Sequence, residues 1–223
     1  FTFTYVYSDI LFTVAFTDNH TFVYIYTGTY EQWVKDYLTA EGYTFNTEYA
    51  LGYSSDPKTW DVLATSRAAD SEAIVNTYDG LVEYDIENVM QPALATEYTV
   101  SDDGLKYTFK IREGVNWVDH TGADTGKPVT AQDFVDGIRY IGEPLNGAYS
   151  LRVVRNLISG LYDYYWTLDD IDCGLITDQN RDDVVAKFDE MVGVKALDEY
   201  TLQYTPTQPT SYFMTMLGYG VFA

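Results

Sequence analysis

The sequence predicts an α/β protein of the mixed α+β kind. Three observations predict it. Runs with period-two alternation are interleaved with runs whose apolar residues recur every three to four positions. A hydrophobic share of 46% over 223 residues supplies a core without disulfide staples. The chain shows no internal repeat, so it reads as one large domain or two small ones.

Each element has its own warrant. Phe1, Phe3, Tyr5 and Tyr7 alternate with Thr2, Thr4 and Val6, and Phe12, Val14 and Phe16 alternate with Thr13, Ala15 and Thr17. Asp18-Asn19-His20 supplies turn chemistry, and Phe22, Tyr24 and Tyr26 resume the alternation, so residues 1–29 read as a hairpin. From Tyr30 to Ala40 the period changes: Trp33, Val34, Tyr37 and Leu38 lie at helical spacing, with Gly42 as the stop. Tyr49, Leu51 and Tyr53 read as a strand before the loop Ser54-Ser55-Asp56-Pro57. Ser71 is a candidate cap for a helix running through Ala73, Ile74, Val75 and Tyr78 to Asp79-Gly80.

Tyr98, Val100, Leu105, Tyr107, Phe109 and Ile111 predict a hairpin turning through Ser101-Asp102-Asp103-Gly104, where glycine accepts the positive φ of a tight turn. Arg112-Glu113-Gly114 turns again into a strand at Val115 and Trp117, and Gly122 to Pro128 reads as a loop. Thr130 with Asp133 resembles a capping box and opens a helix whose stripe is Phe134, Val135 and Ile138. Helices are expected over Tyr149 to Tyr165 and again around Val184, Val185, Phe188 and Val192. A late strand alternates Thr201, Gln203 and Thr205 with Leu202 and Tyr204, and Pro206 and Pro209 end it.

Charge excludes some partners. Thirteen basic against 34 acidic residues give a formal charge of −21, so neither a nucleic-acid backbone nor an anionic lipid surface is an expected partner. No run of 18 apolar residues is present to span a membrane. The chain opens on Phe1 without a basic n-region or a cleavage site, so any signal peptide is expected to lie outside it. With one cysteine, Cys173, neither an intramolecular disulfide nor a cysteine metal cluster forms. Tyrosine is in excess, 22 of 223. Its ring and polar tip suit binding surfaces, and equally half-buried strands.

Reactive constellations are poorly supported. His20 and His120, the two histidines, both fall at expected turns, where a solvated residue is the ordinary reading. Gly52-Tyr53-Ser54-Ser55-Asp56 lacks the second glycine of a nucleophile elbow. Gly122-Ala123-Asp124-Thr125-Gly126-Lys127-Pro128 is one residue short of a phosphate loop and ends on proline. Asp178, Asn180, Asp182 and Asp189 meet part of a calcium-loop template, but Asp183 stands where it needs glycine, and the segment reads as well as an acidic helix start. Neither an enzyme nor a cofactor is expected.

One stretch is specific. Tyr78-Asp79-Gly80-Leu81-Val82 leads to Gln91-Pro92-Ala93-Leu94-Ala95, then to the run from Ser101 to Val115 and Trp117, and Pro128-Val129-Thr130-Ala131-Gln132-Asp133-Phe134-Val135 closes it. This order resembles the family 5 extracellular solute-binding proteins, the oligopeptide-binding receptors of ABC importers. The segment from Val192 to Leu202 and the stretch from Pro209 to Tyr212 are similar to the same family. The resemblance covers residues 47–223 and leaves 1–46, a Tyr/Thr-rich hairpin with a short helix, unassigned.

The resemblance implies a periplasmic-binding-protein-like class II lobe, a mixed sheet with flanking helices, incomplete without a second lobe that would carry the acidic anchor for the peptide ammonium. It implies short peptides as ligands, ABC permease subunits as partners, an extracytoplasmic location and a lipid anchor outside this chain. Peptide main chain would be held by strand addition at an open edge. By resemblance Ser66, Arg67 and Ala68 occupy that edge, and Tyr149 lies where related receptors place a cleft tyrosine, with Arg152 the alternative for that role. Trp117 is a further candidate, with core packing the competing reading, while Tyr78 and Asp79 read first as a helix end. The rival reading from another class is a surface adhesion or carbohydrate-binding protein using the aromatic segment 1–29.

Overall fold

The computed structural model describes residues 2–7, 10–17, 20–27, 30–43, 55–75, 77–85 and 87–222. The chain divides into two compact units, residues 1–52 and 53–223. In the first, strands β1 (Thr2–Tyr7), β2 (Ile10–Thr17) and β3 (His20–Thr27) form an antiparallel sheet in the order β1-β2-β3. Helix α1 (Tyr30–Ala40) follows. The alternation thus builds three strands, and His20 opens the third instead of sitting in a turn. The strand expected at Tyr49 to Tyr53 falls outside the described residues.

The second unit opens with helix α2 (Ala68–Ile74), strand β4 (Val82–Tyr84) and strand β5 (Met90–Pro92), which pairs antiparallel with β4. Strands β6 (Ala95–Val100) and β7 (Tyr107–Ile111) form the expected hairpin. Strand β8 (Asn116–Val118) pairs with β9 (Asp124–Pro128), so the residues expected as a loop form a strand. Next come helices α3 (Ala131–Ile141), α4 (Leu151–Val154), α5 (Leu161–Asp172), α6 (Arg181–Ala186) and α7 (Phe188–Met191). Strands β10 (Val194–Asp198) and β11 (Thr201–Tyr204) and helix α8 (Phe213–Met216) complete the unit.

The main sheet has the order β10-β11-β7-β6. The fold class is the α/β one, and every ladder among the described residues is antiparallel, so the mixed sheet expected for this lobe does not occur in them. Phe109 faces Leu202 in register, and Tyr107 faces Tyr204. These four side chains are buried, and the ring centroids of Phe109 and Tyr204 lie 6.3 Å apart, edge to face.

Helix α3 packs on β10 and β11 through Phe134, Val135, Ile138 and Ile141, a stripe at helical spacing. Its start is fixed by Asp133, whose Oδ2 accepts the Thr130 amide at 2.7 Å and the Thr130 hydroxyl at 2.8 Å. The carboxylate also favours the positive end of the helix dipole.

Two expected helices are corrected. Helix α2 starts at Ala68, with Arg67 as the extended residue before it, so Ser71 is interior, and the helix ends at Ile74, short of Tyr78. The long helix from Tyr149 is broken between α4 and α5 at Gly160, which has φ +74°. A Cβ on Gly160 would lie 1.8 Å from the Met191 carbonyl oxygen. The backbone of the α7 end therefore passes where a continuous helix would carry side chains. Ser159, Gly193 and Thr205 tie this crossing together: Ser159 N–H donates to Thr205 at 2.9 Å, and Gly193 N–H donates to Ser159 at 2.8 Å.

Candidate functional site

Asp70 anchors the segment that carries Ser66. Its side chain is buried in α2, and its Oδ2 accepts the Thr65 hydroxyl at 2.6 Å while Oδ1 accepts the Lys58 amide at 2.8 Å. These bonds, with the Arg67 guanidinium 3.5 Å away, hold the carboxyl below the usual carboxylate range. Asp61 organises the turn just before. Its Oδ1 accepts the Leu63 amide at 2.8 Å, and its Oδ2 accepts the Tyr140 hydroxyl of α3 at 3.0 Å. Ser150 N–H then donates to the Leu63 carbonyl at 3.1 Å, which draws the start of α4 against the same segment.

The result is a groove of about 780 Å³. Ser66, Ser71 and Val75 line one part of it, Tyr149 and Ser150 another, and Tyr84 with Gly218 and Tyr219 a third. The Tyr149 phenol is hydrogen-bonded with Ser66, and the Arg152 guanidinium carbon lies 4.8 Å above the Tyr149 ring. The Ser66 bond first and the Arg152 charge second lower the phenol below its ordinary value. Ser66, Arg67 and Ala68 are all exposed, Ser66 lining the groove and Ala68 opening α2. Arg67 is extended, φ −81° and ψ 133°, and its amide donates to the Thr65 hydroxyl at 3.1 Å. Ser66, Tyr78 and Asp79 make no backbone–backbone hydrogen bond among the described residues.

Four partly exposed tyrosines, Tyr78, Tyr84, Tyr149 and Tyr219, stand around the groove. Tyr84 and Tyr219 escaped the sequence reading; the overall tyrosine excess was the only signal for them. Gly218 lets the Tyr84 ring lie against the turn after α8, since a Cβ there would sit 2.5 Å from the ring. Chemically the groove offers unpaired main-chain donors and acceptors beside aromatic faces. That combination grips an extended chain while tolerating varied side chains.

Trp117 is not part of this arrangement. It lies on β8, partly exposed, with its indole N–H donating to Asp133 Oδ1 at 3.3 Å, and it lines a separate cavity of about 260 Å³. His120 sits in an exposed turn, and Cys173 is an exposed free thiol. Asn180 caps α6 by accepting the Asp182 amide at 2.8 Å, and Asp189 pairs with Arg139 at 2.8 Å. Among the described residues no group of three His, Cys, Asp or Glu is placed to hold a metal, and no helix is long and apolar enough to cross a membrane.

The second unit thus combines sheet and helices with an open, tyrosine-rimmed groove. A solved structure of Listeria monocytogenes OppA bound to peptide matches at a TM-score of 0.56 and 26% identity, over 76% of this chain and 29% of that one. Two Streptococcus pneumoniae oligopeptide-binding proteins are similar in sequence. AliB is 39% identical over 170 residues, 76% of this chain and 23% of its own length. AmiA is 37% identical over 174 residues, 78% of this chain and 23% of its own. The chain thus spans about a quarter of the length of these relatives. The family model described as bacterial extracellular solute-binding proteins, family 5 Middle, matches residues 89–222, and the chain belongs to that family.

Proposed function

We propose that this chain is the peptide-gripping lobe of an extracytoplasmic receptor that passes short peptides to an ABC transporter permease. The observation that carries the reading is the groove where Ser66, with an unpaired main chain, meets Tyr149 beneath Arg152. Ser66 presents its backbone to the ligand, Arg67 and Ala68 hold that segment at the start of α2, and Tyr149 packs on the ligand, with its phenol directed by Ser66 and Arg152. A receptor of this kind changes no bonds in its ligand, so it acts as a carrier and not an enzyme. A second lobe closing on the groove would exclude water from these main-chain bonds and strengthen them. A place in the periplasm or at the cell surface, held by a membrane anchor, belongs to the same reading.

The family membership and the names of the relatives support peptides as the ligand class. The adhesion or carbohydrate-binding alternative is not favoured. It rests on residues 1–29, and the family match lies on 89–222.

The test is a thermal-shift titration of the protein carrying this chain with a pool of tri- to pentapeptides. Ligand at about a hundred times its Kd should add about 2.7 kcal/mol of stability. A response to oligosaccharides with none to the peptide pool would overturn the proposal.

A further inference from the structure

The cavity beside Trp117 shares Tyr78 and Asp79 with the groove, and Trp117, Val129, Asp133 and Phe134 line it alone. Val129 and Phe134 give it an apolar floor, and Trp117 and Tyr78 give it partly exposed aromatic walls. Asp79 and Asp133 bring two carboxylates to it, and no lysine, arginine or histidine lines it. The two acids differ in commitment. Asp133 is occupied: Oδ2 holds the start of α3, and Oδ1 accepts the Trp117 indole N–H at 3.3 Å, which sets the angle of the ring. Asp79 is exposed and makes no hydrogen bond or ion pair among the described residues.

Those walls select by charge. An anion would meet two carboxylates at short range. A neutral hydrocarbon would fill the apolar floor and cover Asp79 without a partner, which costs desolvation. An alkylammonium satisfies every wall: its chain lies on Val129 and Phe134, and its cationic head meets the indole face and the free carboxylate.

We infer that this cavity is a second ligand site, one that takes a primary alkylammonium group, either of a free amine or of a lysyl side chain. The volume of about 260 Å³ fits a side-chain-sized group and is small for a peptide backbone. Asp79 and Tyr78 border both this cavity and the groove, whereas Trp117 borders the cavity alone.

The experiment is ligand-observed NMR on the whole chain with n-butylammonium chloride as the probe and 1-butanol as its uncharged isostere. Saturable butylammonium binding should weaken by about tenfold in Asp79→Asn and again in Trp117→Leu, the loss of one ion contact or one cation–π contact. Tyr149→Phe, which alters only the groove, should leave it unchanged. Should Trp117→Leu lose its circular dichroism, Asp79→Asn decides alone. Ala-Lys-Ala displacing the probe where Ala-norleucine-Ala does not assigns a lysyl side chain as the source, and displacement by neither assigns a free amine. Equal binding of butanol and butylammonium, no saturable binding, or an Asp79→Asn variant that binds as the parent does would each overturn the inference. The butylammonium and butanol outcomes do not depend on whether the groove itself takes peptides.

Discussion

The hydroxyl of Tyr204 is buried in the main sheet and has no hydrogen-bond partner among the described residues. Burial alone pushes this phenol far above its ordinary range. Removing the hydroxyl removes a desolvated polar atom and leaves the ring contacts with Phe109, Phe213 and Phe222 in place. Tyr204→Phe should therefore stabilise the protein by about 1 kcal/mol, read as a higher urea midpoint at unchanged m-value. Asp70 behaves oppositely. Its folded-state pKa is lowered, so its contribution is complete above the unfolded carboxylate value and fades as pH falls through the folded one. Asp70→Asn should melt lower than the parent at neutral pH, with the difference shrinking as the solution is acidified below about pH 4. A gap independent of pH would argue against the Thr65 and Lys58 bonds as its source. Tyr149 also has a lowered pKa, but at neutral pH its phenol is protonated in both states and adds no pH dependence there. Its signature is early appearance of tyrosinate absorbance on alkaline titration, absent in Tyr149→Phe.

At the level of elements, local signals explain what the sequence revealed. Helix α1, the β6–β7 hairpin and helix α3 each announce themselves through periodicity plus a terminator, and α3 adds its Thr130–Asp133 start. Strand β9 has the sequence DTGKP and is exposed throughout, so it has no apolar face to announce it; pairing with β8 makes it a strand. The break between α4 and α5 is invisible locally because its cause is the Met191 carbonyl, brought there by tertiary structure. Gly160→Ala combines that clash with a left-handed backbone and should cost about 3 kcal/mol or more, measured by chemical denaturation. A variant as stable as the parent would mean that α7 can withdraw. Gly218→Ala tests the groove wall instead. It should push the Tyr84 ring aside and weaken peptide binding with little change in melting temperature.

For the whole molecule, 34 acidic residues against 13 basic ones make self-repulsion a general destabilising term. Raising sodium chloride from about 0.05 to 0.5 M should raise the melting temperature as that repulsion is screened, and a fall would show that the exposed ion pairs outweigh it. The same scale decides how much of the site could be read in advance. Ser66 and Tyr149 were named separately through family resemblance, and the bonds that join them, Ser150 to Leu63 and Tyr140 to Asp61, link residues far apart in the chain. Trp117 was named with them, yet its partner Asp133 holds it at another cavity. Strand β7 is flanked by β6, its hairpin partner, and by β11, where Tyr107 meets Tyr204. On a ribosome the hairpin therefore emerges with one side of Phe109's strand bare until residue 204 has been translated. Throughout that interval it is a sticky template, and a trigger-type chaperone or slow synthesis should matter most over those codons.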